Sequence, residues 1–508
     1  MFNAYKCGAC SARSVPRMAL LKNQSDHDAP GDASPADVLR LTPEARAAAW
    51  RELVAGVEHY LTSLPDRPVG GVTDPAAIAA YLDAVDFDAP IEPAAAVNFT
   101  LRGFDRHHVH NSHPRYFGLF VPAASTMGVM ADALTAAFNP VLAAWHLSPF
   151  AVALERRLVA ALAARFGFDP TTSGGFFASG GSEANHSALL VALMRACPEV
   201  RAGGLRAARA APVLYVSAEG HLSVIKAARL CGLGTESVRR VAVDADLRLD
   251  PAALARAIAE DRAAGRRPFL VVATAGTTSA GVVDPLAALA ELAAREDLWL
   301  HVDAAWGGAG VLLPELAALF AGIEQADSIA FDPHKWLSVP MGAGLFLTRH
   351  PALLETTFGV DDPYMPRSAA ADLYRSSMPW ARRFIGLKLF LTLAVAGWQG
   401  YRAVLRHQVA MGQRLRDRLT AAGFEPVTRT PLPVVCFVDA RGPAEPAHAE
   451  ALVERVVRSG RAWFSTTRIG PDERLVMRGA VTSYHTTADD VDAAVAALEA
   501  ARDAGTTG

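Results

Sequence analysis

In "LWLHVDAAW", residues 298–306, a largely apolar run without regular polar alternation closes on a carboxylate, Asp303, and two alanines. A segment of this length that is apolar on both faces reads as a strand buried inside a sheet. The same reading applies to "PVLYVS" (212–217), "PFLVVATAG" (268–276) and "GAGLFLTR" (342–349). Between these runs lie helical patterns such as "DPAALARAIAEDRAAG" and "DPLAALAELAARED". Strands separated by helix-length crossovers imply an α/β fold with a mostly parallel sheet covered on both faces. Ligands of such sheets bind at the carboxyl ends of the strands, which is where Asp303 falls.

Outside this core the pattern changes. Residues 1–38 mix polar residues, glycine and proline without apolar periodicity and read as a disordered tail. Over 39–110, Thr42 followed by Pro43 starts a helix on which Trp50, Val54, Val57 and Leu61 share a face. The large domain is expected over 111–395, and 396–508 reads as a small α+β domain. Its last helix opens on Thr487 and Asp490, spaced as a capping box, with Val491, Val495 and Leu498 on the buried face.

Composition excludes several classes. A formal net charge of −3 over 508 residues argues against a nucleic-acid partner reached through bulk basicity. No apolar run is long enough to span a bilayer, and "FIGLKLFLTLAVAGW" (384–398) carries Lys388, so no membrane partner is expected and the cytoplasm is the default. Five scattered cysteines argue for a reducing compartment. Cys7 and Cys10 form one CxxC without a second pair to complete a zinc site. The histidines of "RHHVHNSH" (106–113) are irregularly spaced, so no metal is expected there.

Two further segments bear on Asp303. In "GGFFASGGSEANHSALLVAL" (174–193), Gly180, Gly181 and Ser182 open a helix whose free N–H groups suit an anion. In "FDPHKWLSVP" (331–340), Lys335 stands among apolar and small residues, where an ammonium needs a partner or loses its charge. Each has an ordinary reading by itself: a plain helix cap, a turn-capping aspartate, a surface lysine. Together they meet the three demands of pyridoxal 5'-phosphate, which needs a phosphate cradle, an amine for a Schiff base and a carboxylate that keeps the pyridine nitrogen protonated.

With these residues the chain resembles the pyridoxal-phosphate-dependent group II amino-acid decarboxylases, the family of aromatic-amino-acid, glutamate and cysteine-sulfinate decarboxylases. The motifs, in family order, are "HPRYFG" (113–118), "SPFAVALE" (148–155), "SGGSEAN" (179–185), "AEGHLSVIKAARLCGLG" (218–234), "VVATAGTTSAGVVDP" (271–285), "HVDAAWGG" (301–308), "DPHKW" (332–336) and "RRFIGLKLF" (382–390). The resemblance implies a fold-type I transferase-like large domain that binds pyridoxal phosphate. It implies Lys335 as the Schiff-base lysine, Asp303 as the partner of the pyridine nitrogen, Ala305 packed near the ring, and Gly181 and Ser182 at the phosphate. His221 is implied to lie against the ring near the substrate carboxylate, and Thr274 and His334 complete the cofactor set. Tyr364 is the implied proton donor, with Tyr374 as the other candidate.

The reaction implied is loss of CO2 from an L-amino acid to give the amine. His113, Phe120 and Trp145 are the candidate substrate-binding residues, and the aromatics favour an aromatic substrate over an acidic or diamino one. Aldehyde formation or aminotransfer on the same scaffold is the nearest alternative, and a non-catalytic homologue the remoter one. The family is typically a homodimer with its site at the subunit boundary. One departure is Asp332, where aromatic decarboxylases often carry asparagine; a carboxylate facing the phosphate would be repulsive, so it is left out of the cofactor set.

Overall fold

A computed structural model describes residues 35–70, 74–360 and 372–506. The chain divides between His110 and Asn111 into two compact units. Most of the expected tail lies outside the described residues, and its end, Pro35–Arg40, is a short helix.

In the first unit the Thr42 hydroxyl accepts the Ala45 N–H at 3.2 Å and caps the helix Pro43–Ser63. The face carrying Trp50, Val54 and Leu61 is exposed. Tyr81 stacks on Phe99 with ring centroids 4.5 Å apart, and its hydroxyl donates to the Phe99 carbonyl at 2.7 Å.

The second unit is built on a seven-stranded sheet of β1 (Gly174–Ala178), β2 (Pro212–Ser217), β3 (Val238–Val241), β4 (Arg267–Thr274), β5 (Trp299–Asp303), β6 (Ser328–Phe331) and β7 (Gly344–Thr348). The order is β1-β7-β6-β5-β4-β2-β3. All neighbours from β3 to β6 pair in parallel, and β7 runs antiparallel to both β6 and β1. The reason is local: residues 332–343 contain no crossover helix, so the chain returns beside β6 in the opposite sense. In β4, Val271 and Ala273 enter one apolar core while Leu270 and Val272 enter the other. Burial on both faces is why these strands lack polar alternation.

The chain closes with a four-stranded antiparallel sheet of β8 (Phe424–Pro426), β9 (Val434–Asp439), β10 (Ser465–Ile469) and β11 (Arg474–Ala480), in the order β10-β11-β9-β8. The capping box forms as the spacing predicts: Thr487 N–H donates to Asp490 at 3.0 Å and Asp490 N–H to the Thr487 hydroxyl at 3.3 Å. Val491, Val495 and Leu498 are fully buried. The helix Gly386–Ala421 is broken at Gly397, whose φ of 63° lies in the left-handed region. No helix among the described residues is long and apolar enough to cross a membrane.

Two ion pairs, the second almost wholly buried, join elements of the second unit. Lys388, alone among apolar neighbours, donates to the Met341 carbonyl at 2.7 Å and pairs with Asp132 at 3.3 Å, and burial lowers its pKa. Glu155 accepts both terminal nitrogens of Arg382, one at 2.6 Å, with both side chains almost wholly buried. Removing one partner leaves the other charge without compensation. We expect Glu155→Ala to cost about 3–5 kcal/mol, read as a lowered urea midpoint, and Glu155→Leu with Arg382→Met to recover most of it.

Candidate active site

Strands β1, β2, β4, β5 and β6 end at one edge of the sheet, and the segments leaving them converge there. The cavity they enclose is lined by Gly181, Ser182, His221, Thr274, Asp303, Ala305 and Lys335, seven of the residues singled out from sequence. Asn185, Gly276, Thr278 and Trp306 complete its wall.

The turn at Gly180 and Gly181 rests directly on β7. A Cβ on Gly344 would stand 2.5 Å from the Gly180 Cα, and a Cβ on Gly181 would stand 3.0 Å from both the Ala305 Cβ and an Asp332 carboxylate oxygen. Glycine at 344 and 181 therefore lets the start of the helix Gly181–Ala196 lie against the floor.

Asp303, 6% exposed, accepts from Asn185 Nδ2 at 2.7 Å and from the Ala305 N–H at 3.1 Å. Asn185 also donates to the Ser223 hydroxyl at 2.9 Å, and Ser223 Oγ lies 2.8 Å from His221 Nδ1. On the far side, His301 Nε2 lies 2.9 Å from Asn185 Oδ1, and His301 Nδ1 lies 2.9 Å from Ser328 Oγ, which accepts from the Trp299 indole at 2.8 Å. Burial pushes His301 down to about 4, so it is neutral at physiological pH. Thr274 is held by its N–H, which donates to Asp284 at 2.7 Å, while its hydroxyl is buried without a hydrogen-bond partner. Asp284 is itself pushed up to about 6 by burial. Lys335 Nζ lies 3.0 Å from Asp332 Oδ2.

The other expected residues sit further out. His334 is buried behind the wall with Nδ1 2.7 Å from the Ala343 carbonyl oxygen, and burial lowers its pKa. Phe120 reaches the cavity through Trp306, on which it stacks at 4.4 Å. His113 is buried and accepts the Arg115 N–H at 2.9 Å, and Trp145 is half-buried with its N–H on Asp372. Neither lines the cavity. Tyr364, Cys7 and Cys10 lie outside the described residues.

Sequence reasoning passed over Asn185, Ser223, His301, Trp306 and Arg478. The first four lie inside quoted motifs, where only His301 is marked as a polar residue within an apolar run. Arg478 on β11 is 4% exposed and donates to the carbonyls of Thr278 and Gly118, at 2.6 and 3.0 Å, with its guanidinium 5.7 Å over the Phe120 ring. Its Nε donates to the Ser465 hydroxyl at 3.2 Å. No signal near residue 478 links it to the cavity.

The arrangement suits pyridoxal phosphate. It offers an amine able to condense with an aldehyde, a helix start open to a phosphate, an oriented carboxylate and a buried hydroxyl still without a partner. Comparison with known proteins agrees. Residues 102–439 match the pyridoxal-dependent decarboxylase conserved domain. The chain is 31% identical over 467 residues to an aromatic-L-amino-acid decarboxylase of Bacillus atrophaeus, covering 89% of this chain and 94% of that one. It is 35% identical over 341 residues to an L-2,4-diaminobutyrate decarboxylase of Rhizobium meliloti (strain 1021), covering 65% and 66%. Its fold matches the crystal structure of Oryza sativa TDC with PLP and tryptamine at a TM-score of 0.86 and 27% identity, over 93% of this chain and 100% of that one. The chain belongs to the pyridoxal-dependent decarboxylase family. It is an amino-acid decarboxylase that uses pyridoxal phosphate.

The neutral His301 has a measurable consequence. Its folded pKa lies below the unfolded value of 6.5, so the unfolded chain binds the extra proton and stability falls as pH drops from 6.5 toward 4. Asp284 acts in the opposite sense, because its raised pKa relieves a penalty as pH falls through about 6. Comparing His301→Gln with the unsubstituted chain isolates the histidine. The variant is expected to lose about 3 kcal/mol less over that window, read from urea midpoints at a series of pH values.

Proposed function

We propose that this chain decarboxylates an aromatic L-amino acid to the corresponding amine. Lys335 would hold the cofactor, Gly181 and Ser182 its phosphate, Asp303 and Thr274 its ring, with Ala305 beside them and His334 behind. The observation that carries this reading is the convergence of Lys335, Asp303 and the Gly181–Ser182 helix start on one cavity.

Bound pyridoxal phosphate supplies an aldehyde for the lysine and a protonated ring that accepts the electron pair left when CO2 departs. The residues of the chain set the conditions for that chemistry. Asp303, held by Asn185 and the Ala305 N–H, keeps a negative charge where a ring proton is needed. His221 accepts the Ser223 N–H on Nδ1 at 3.2 Å, which leaves its proton on Nε2 as a donor for substrate. Arg478 holds a positive charge behind Phe120 and Thr278, which favours entry of a carboxylate.

The Phe120–Trp306 stack supports a flat apolar substrate, as does the aromatic-L-amino-acid decarboxylase among the relatives. Arg115 adds no selectivity for acidic side chains, since its guanidinium is engaged by the Arg461 carbonyl at 2.9 Å and by Asp490 at 3.6 Å. His113 and Trp145 would then act through the packing that holds this wall.

A homodimer is part of the same reading. The helix Thr126–Phe138 exposes Met130, Leu134 and Phe138, Leu222 beside the site residue His221 is 66% exposed, and the apolar face of Pro43–Ser63 is bare. Apolar surface of this extent favours a second copy.

Two experiments test the assignment. Lys335→Ala is expected to lower amine formation roughly 10^3-fold or more and to abolish labelling of the peptide 331–340 by borohydride in the presence of cofactor. In a panel of amino acids assayed for CO2 and amine, aromatic substrates should have the highest kcat/KM; preference for aspartate, cysteine sulfinate or diaminobutyrate overturns the substrate class. Tyr364 is proposed as the donor of the proton to Cα. Tyr374 suits that task less, being buried and stacked on Trp380 at 4.6 Å. Tyr364→Phe should slow amine release or divert product to aldehyde with uptake of O2, and an unchanged amine yield removes it from the mechanism.

A further inference from the structure

Among the described residues, Asp332 is the one carboxylate within hydrogen-bonding distance of Lys335, with Oδ2 3.0 Å from Nζ. It is 1% exposed, and its Oδ1 is buried without a hydrogen-bond partner. The same Oδ2 lies 3.0 Å from the point that a Cβ on Gly181 would occupy, so the carboxyl group borders the turn proposed to hold the phosphate. Its backbone N–H donates to the Ala305 carbonyl at 2.9 Å, which ties it to the floor of the cavity.

The charges around it do not favour two anions side by side. His334 Nε2 lies 3.9 Å from Oδ2, but burial disfavours the charged form of that imidazole. Lys388 is committed to Asp132 and the Met341 carbonyl. Asp303, on the wall of the same cavity as Lys335, adds negative charge, and Glu183 in the first turn of the helix at Gly181 is occupied by the Ser179 N–H at 2.8 Å. Among the described residues Lys335 is the only cation within hydrogen-bonding distance of Asp332. A buried carboxylate beside which a phosphate arrives, with that one ammonium to offset both anions, is driven toward the neutral acid.

We propose that Asp332 makes cofactor loading proton-linked: its carboxylate pairs with Lys335 in the free protein and takes up a proton when a phosphate monoester enters the Gly180–Ser182 turn. The inference rests on the reading that this turn holds the phosphate, and it adds a residue excluded there on grounds of repulsion. Uptake of a proton on binding means that affinity falls as pH rises, by up to about tenfold per pH unit.

The test uses pyridoxine 5'-phosphate, which carries an alcohol in place of the aldehyde and forms no bond with Lys335. Its affinity is measured by fluorescence titration from pH 6.5 to 9 for the unsubstituted protein and for Asp332→Asn, with unphosphorylated pyridoxine as the second arm. The ratio of the two proteins' dissociation constants should grow by up to about tenfold per pH unit for the phosphate ester and stay flat for pyridoxine. Calorimetry of the unsubstituted protein in two buffers of different ionisation heat should report close to one proton taken up, a readout independent of how well the variant folds. Parallel pH profiles, or no proton uptake, overturn the role of Asp332 alone. Failure of the unsubstituted protein to bind either the phosphate ester or pyridoxal phosphate overturns both this inference and the assignment of the site.

Discussion

The amide of Asn185 is the constraint on which the rest of the site depends. Its two N–H donors point at Asp303 and Ser223, and its oxygen receives His301. Direction along this network is set from the Asp303 end. The Asp303 carboxylate accepts from Asn185 Nδ2, so Asn185 Oδ1 faces His301 and takes the proton of Nε2. The neutral His301 then accepts on Nδ1 from Ser328 Oγ, which also accepts from the Trp299 indole. Ser223, having accepted one of them, sends its hydroxyl proton to His221. One residue in the helix Gly181–Ala196 thereby sets both the orientation of the carboxylate and the tautomer of the histidine across the cavity.

The lysine in "FDPHKWLSVP" is positioned by the same economy of donors and acceptors. Its loop is fastened at the start by the Asp332 N–H on Ala305, in the middle by the Ser125 N–H on Ser338 at 2.6 Å, and at the end by Lys388 on Met341. Ser338 adopts a φ of 56°, a left-handed conformation that a residue with a side chain holds only when its surroundings impose it. Lys388, which looks out of place in an apolar helix, is thus explained by the carbonyl it reaches rather than by its neighbours in sequence.

Much of this architecture was legible in the sequence because its physical cause is local. Strands buried on both faces leave continuous apolar runs, and β2, β4, β5 and β7 were visible for that reason. The others carry weaker marks: β1 begins with two glycines, β3 reads VRRV, and β6 has four residues. The lysine, the aspartate and the glycine turn were legible as residue types suited to one cofactor, supported by eight motifs in order. What could not be read was partnership across the fold. Trp306 meets Phe120, Arg478 meets Thr278, and Asp332 meets Gly181 only because the sheet brings distant segments to one edge. The antiparallel sense of β7 likewise follows from the missing crossover helix, a feature that an apolar run cannot express.

Arg478 gives the small carboxyl-terminal sheet a stake in the cavity through Thr278 on its wall. Its guanidinium clasps Thr278 on one side and Gly118 on the other, joining segments separated by hundreds of residues in sequence. The stretch that defines the family by similarity, residues 102–439, stops short of this clasp. A shortened version trimmed to those limits would keep the amine and the acid yet surrender the brace behind Thr278 and Gly118, so the cavity is not modular at that boundary.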